Sequence, residues 1–240
     1  MRENDMTAND RARRRPSSAK GFSLVELLAV VAIIGTMAAI SLPPFISTRR
    51  ALRTTGTIRV IVSHMRDARQ QAISRRRAIT FQYDDANKKV NLIDYGVDAN
   101  GMGISGPKVV KDANYPNNTG STVIRTVSLS EAGAPTTELM YGLAPEVLAE
   151  VTDTKGVVTK DLTYLDDQTT LAALDSKNKV NITFQPDGTI IDANGVPHSA
   201  ALFIYNKVQP KETTTAISVL GGTGRIKAWR YSSSAKSFIE

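Results

Sequence analysis

No cysteine occurs in the 240 residues, so no disulfide can brace this chain in an oxidising compartment. Its fold has to rest on a packed core. Histidine is nearly absent too: His64 and His198 stand far apart, with no spacing to a cysteine or to each other that suits a metal. Asp98-Ala-Asn100-Gly101 and Asp192-Ala-Asn194-Gly195 bring oxygen ligands into turns, but neither extends into a complete calcium loop. Gly221-Gly222-Thr223-Gly224 lacks the Lys-Ser/Thr pair that makes a glycine-rich loop bind phosphate, and reads as a turn. With no convergent set of polar groups, the sequence predicts a protein that is not an enzyme, with no cofactor and no bound metal.

What the chain does have lies at its start. Residues 1–21 hold six Arg/Lys (Arg2, Arg11, Arg13, Arg14, Arg15, Lys20) against three acids, a net +3, so +4 of the total +7 belongs to residues 22–240. Phe22 to Leu42 is a run of 21 residues, uncharged from Leu27 onward. At about 1.5 Å per residue such a helix spans the roughly 30 Å core of a bilayer. The basic leader favours a cytoplasmic amino end, although Arg49, Arg50 and Arg53 beyond the run blunt that signal. Glu26 sits inside the front of the run, where a carboxylate costs on the order of 1–3 kcal/mol. A secretory signal ending near Ala39-Ile40-Ser41 explains neither the run's length nor the acid. A generic single-pass anchor explains the length alone.

Gly21-Phe22-Ser23-Leu24-Val25-Glu26, between a basic leader and an apolar helix, resembles the type IV pilin and type II secretion pseudopilin superfamily. The resemblance implies cleavage by prepilin peptidase between Gly21 and Phe22 and N-methylation of the new Phe22 terminus. It further implies that Glu26 neutralises the terminal amine of a neighbouring subunit during filament assembly. Gly35 and Pro43 also stand where members of that superfamily commonly carry glycine and proline.

After the apolar run, Pro43 and Pro44 predict a kink, since proline removes helical hydrogen bonds and clashes with the preceding turn. Helical spacing then resumes: Ile58, Ile61, Val62, Met65, Ala68, Ala72 and Ile73 form one apolar stripe, a face on which a sheet would lie. Thr54-Thr55-Gly56-Thr57 is the weak patch of this helix, the place where unwinding costs least. Strands are predicted at Ile79–Tyr83, Lys89–Asp94 and Val123–Leu129, with 96–121 as loop and 131–180 unassigned, an insertion. Ile182–Phe184 and Thr189–Ile191 flank a Pro-Asp-Gly turn, and Ala200–Tyr205, Ala216–Leu220 and Arg225–Tyr231 follow as strands.

Phe184-Gln185-Pro186-Asp187-Gly188-Thr189, Gly224-Arg225 before the last strand, and Ala68-Arg69-Gln70-Gln71-Ala72 resemble the GspH/FimT branch of the superfamily. FimT-type minor pilins that take up DNA carry Gly-Arg-x-Arg here, whereas this chain reads Gly224-Arg225-Ile226-Lys227. In an extended strand Arg225, Lys227 and Trp229 share a face, with Arg230 nearby, a set able to meet phosphates and stack on a base. The same charges also suit a solvated edge strand.

The expected architecture is therefore α+β and pilin-like: leader 1–21, transmembrane helix 22–42, amphipathic second half 43–77, and a β-rich domain 78–240 held in the periplasm by an inner-membrane anchor. The function this implies is that of an H-type minor pseudopilin in a type II secretion system. Its partners would be prepilin peptidase, other pilin-like subunits and the inner membrane. The alternative is a FimT-like minor pilin binding DNA through Arg225, Lys227, Trp229 and Arg230.

Overall fold

The computed structural model describes residues 21–112, 120–131, 133–151, 170–171 and 177–240. Its longest element is α1 (Leu24–Arg75), and the chain divides at Phe45/Ile46 into two units.

In the first unit the apolar side chains of α1 from Leu24 to Ile40, and that of Phe45, are exposed, Ile40 at 78%. The segment is long and apolar enough to cross a membrane. Two of its hydroxyl groups bond within the helix: the Thr36 hydroxyl donates to the Ile33 carbonyl at 2.8 Å and Ser41 to Met37 at 2.9 Å. That is how hydroxyl side chains are accommodated where no water is available. The helix continues through Pro43 and Pro44 and does not stop at Leu42.

Among the described residues the second unit contains the rest of α1, ten strands and three short helices. They are β1 (Ile79–Asp84), β2 (Lys89–Asp94), α2 (Pro107–Lys111), β3 (Thr122–Ser128), β4 (Leu139–Tyr141), α3 (Pro145–Val151) and β5 (Thr170–Leu171), then β6 (Lys179–Phe184), β7 (Ala200–Asn206), α4 (Pro210–Thr213), β8 (Thr215–Val219), β9 (Ile226–Ser232) and β10 (Ser237–Ile239). Two sheets result, β3-β2-β1-β6 and β10-β9-β8-β7-β4, antiparallel except where β5 joins β7 in parallel. The α1 stripe is buried as expected: Ile58, Ile61, Val62, Met65, Ala68 and Ala72 share one core with alternate residues of both sheets, among them Phe81, Leu92, Ile182, Leu202, Ile217 and Ile226. Ile73 is the exception, left exposed at the stripe's end. On its other face β7–β10 packs Phe203, Tyr231 and Phe238 with Val147 of α3.

The first sheet is registered on its second face as well. Asn181, Gln82, Asn91 and Thr126 hydrogen-bond in series across all four strands at 2.9–3.0 Å, and the Thr80 and Thr183 hydroxyls meet at 2.7 Å.

Several details depart from the sequence reading. Residues 96–121 include α2, and the stretch beginning at 131 supplies β4 and α3, so part of the expected insertion belongs to the second sheet and its cover. Residues 152–169 and 172–176 lie outside the described residues. Thr189–Ile191 contributes bridges, Phe184 with Ile190 and Ile191 with Pro197, and no continuous strand. The Thr54–Thr57 patch is helical and anchored. Thr54 and Thr57 are buried, their hydroxyls donate to the Arg50 and Arg53 carbonyls, and buried Asn206 bonds both Thr54 Oγ1 (3.3 Å) and Glu138 (3.0 Å). Arg50 closes this group on Glu138 at 3.6 Å. Tertiary partners supply what local helix propensity lacks.

Candidate functional site

Gly21, Phe22 and Ser23 precede the first helical turn, and Glu26 lies within it. The unpaired N–H groups and dipole of a helix start favour a carboxylate there, which offsets part of its desolvation. Phe22 is 81% exposed, and a Cβ added at Gly21 would meet nothing within 4 Å. The fold itself thus has no need of glycine at 21. Gly35 is equally open.

The basic strand differs from its expected arrangement. Lys227 and Trp229 share a face of β9, but each already has partners. The Lys227 ammonium is bonded to the Glu240 carboxylate and lies 4.7 Å from the centre of the Trp229 ring, and the indole N–H donates to Ser218 Oγ at 2.8 Å. The Lys227 bond holds the Glu240 carboxyl below its ordinary range, and the charge of Arg225 adds to the effect. Arg230 donates twice to the Glu212 carbonyl, at 3.1 and 3.3 Å. Arg225 precedes β9 and joins residues of α1, so the four do not form one open face.

The segments that carry the branch resemblance meet at Arg69. Its Nε donates to the Gly188 carbonyl (3.2 Å) in the Pro-Asp-Gly turn and its Nη2 to the Thr223 carbonyl (2.8 Å) in the Gly-Gly-Thr-Gly turn. Gly224, at φ +62°, lies so close that an added Cβ would fall 1.8 Å from the Gly188 oxygen. Gly221 is equally constrained, its Cβ position 2.4 Å from the His198 nitrogen. These glycines let two turns close on one arginine. Beside this clip is a cleft of about 600 Å³ lined by Arg66, Arg69, Gln70, Thr223, Gly224 and Arg225. Arg66 and Gln70 were not predicted as site residues. Two signals were present: Arg66 and Arg69 lie off the apolar stripe, which fits any solvated helix face, and Gln70 belongs to the Ala68-Arg69-Gln70-Gln71-Ala72 run that carries the branch resemblance.

The remaining polar candidates have local explanations. Asp98 and Asp192 accept backbone N–H groups of their own turns at 2.8–2.9 Å. Among the described residues no cluster of His, Cys, Asp or Glu could hold a metal. His64 packs against the helix surroundings with its Nδ1 buried and unbonded. Burial first, then nearby Arg125, hold its pKa below the ordinary value, with Asp67 opposing.

Comparison with known proteins places the first of these sites in a class. Residues 16–42 match the prokaryotic N-terminal methylation motif. Two crystal structures of the type IV minor pilin FimU of Pseudomonas aeruginosa PAO1 are similar over the longer chain, at 17% and 16% identity. They cover 75% and 72% of this chain and 90% of theirs, with TM-scores of 0.37 and 0.36. No curated protein matches the chain.

Proposed function

We propose that this chain is a non-catalytic, pilin-like minor subunit of a membrane-associated filament. The observation that carries the reading is the methylation motif over residues 16–42, with Glu26 the one charge in the apolar first part of α1, whose described side chains are exposed. Prepilin peptidase would cut between Gly21 and Phe22, and Phe22 would be N-methylated. The helix would hold the subunit in the inner membrane, with residues after it in the periplasm, until Glu26 meets the amine of a neighbouring subunit. Pro43 and Pro44 are the proposed kink, because two consecutive helical N–H groups are missing there.

Between the two machines we favour the pseudopilus of a type II secretion system, with this chain in the H-type position. What supports that choice over DNA uptake is the internal engagement of Lys227, Trp229 and Arg230, which leaves β9 with no row of cations or open indole for a nucleic acid. The test is Glu26→Ala in cells. The variant is expected to insert and be processed yet be missing from sheared filaments. Its recovery there at the parental level would overturn the proposed role of Glu26.

A further inference from the structure

The cleft beside Arg69 has no part in processing or membrane insertion, yet its cations are placed as if for a ligand. Arg69 is committed to two carbonyls. Arg66 and Arg225 are both exposed, and neither guanidinium has a hydrogen bond or close ion pair among the described residues. Ion pairs do form elsewhere along the same helix: Arg50 with Glu138, Arg75 with Asp94, and Asp67 with Arg125. Arg66 from α1 and Arg225 from the turn before β9, with the Gln70 amide in the same lining, supply donors suited to a planar oxyanion.

We propose that this cleft receives a carboxylate side chain from an acidic segment of a neighbouring subunit. That the occupant is a subunit rests on the filament reading above; the preference for a carboxylate does not. Two observations favour an acidic segment over a nucleic acid. A cleft of about 600 Å³ takes in a whole side chain, whereas a duplex could only lie across its mouth. No aromatic residue is among its described lining, so nothing there offers a stacking platform.

The test uses the full chain in detergent micelles. Fluorescence anisotropy follows a labelled tetraglutamate peptide, with labelled tetraglutamine as control and a 12-base-pair duplex in parallel. Tetraglutamate is expected to bind, and Arg66→Gln with Arg225→Gln to weaken it at least about tenfold, as loss of charge-assisted bonds implies. The melting temperature should change little, because both side chains are exposed and neither makes a hydrogen bond or close ion pair among the described residues, Arg225 acting on Glu240 only through its charge. Arg59→Gln, a change at an exposed cation on the same helix outside the cleft, should leave binding intact. Binding that is indifferent to the double substitution would overturn the proposal. So would duplex binding through Arg66 and Arg225 without tetraglutamate binding. A chain that binds tetraglutamate but never enters filaments would keep the cleft and remove the filament reading, so the two failures are distinguishable.

Discussion

Gly224→Ala is the sharpest test of how the carboxyl-terminal half closes on α1. Two separate costs arise at this position. At φ +62° any residue with a Cβ loses about 1–2 kcal/mol relative to glycine. The new methyl carbon would also fall 1.8 Å from the Gly188 oxygen, far inside van der Waals contact, so the two turns must separate by more than about 1 Å. Separation stretches the bonds from Arg69 to Gly188 and Thr223, and hydrogen bonds of a charged donor contribute about 1.5–3 kcal/mol each. Losing one of them brings the total to about 2.5–5 kcal/mol. For a chain of this size that lowers the melting temperature by roughly 5–20 °C. Gly222→Ala is the control: it sits in the same turn, is exposed and has nothing within 4 Å, so it should stay within about 0.5 kcal/mol of the parent. Urea unfolding of the full chain in micelles, followed by Trp229 fluorescence, reads both. Equal stability of the two variants would refute the clip.

Gly21→Ala should block removal of the leader while leaving the melting temperature unchanged, because nothing in the fold occupies the Cβ position; normal processing on an immunoblot would refute the assigned cleavage site. Asn206→Ala should cost about 2–3 kcal/mol in urea unfolding, since it strips Glu138 and the Val208 N–H of buried partners; a loss below about 0.5 kcal/mol would mean that the anchor of the Thr54 patch is idle. The Glu150 carboxyl is held below its ordinary 4.5 by the Lys211 bond first and then by the Tyr231 hydroxyl. Its folded-state pKa is thus depressed, so its contribution is present above pH 4.5 and is lost as pH falls through the folded value. Glu150→Gln should therefore flatten the fall of melting temperature on acidification below that pH, and an unchanged slope would refute the linkage.

Much of the fold was legible because its periodicities are clean. The two-residue alternation of Ile79–Tyr83 and the answering Lys89–Asp94 locate β1 and β2 almost to the residue, and the three-to-four spacing from Ile58 to Ala72 locates the buried face of α1. β4, α3 and β10 escaped notice for a physical reason: three to seven residues show no period, and their stability comes from partners distant in sequence, such as Asn206 opposite Leu139. The candidate site divides along the same line. The processing motif is contiguous and could be read directly. The clip and cleft join residue 69 to positions 119 and 154 residues away, so the sequence displays the turns but not the arginine on which they close. On the basic strand, alternation tells which side chains align, not which of them already have a partner, as Lys227 has in Glu240.

The order β3-β2-β1-β6 sets Asp84 opposite Lys179, so the first sheet is closed across nearly a hundred residues of intervening chain. Closure entropy grows only with the logarithm of that length, and doubling it would cost about 0.6 kcal/mol. The β1–β6 seam is fixed instead by the paired amides and hydroxyls across it. Selection can therefore lengthen or shorten the connections within that interval at little thermodynamic cost, while β2, β3, β4 and α3, which also lie there, are held by the two sheets. That leaves those connections free to diverge in size and surface while the helix and both sheets stay as they are.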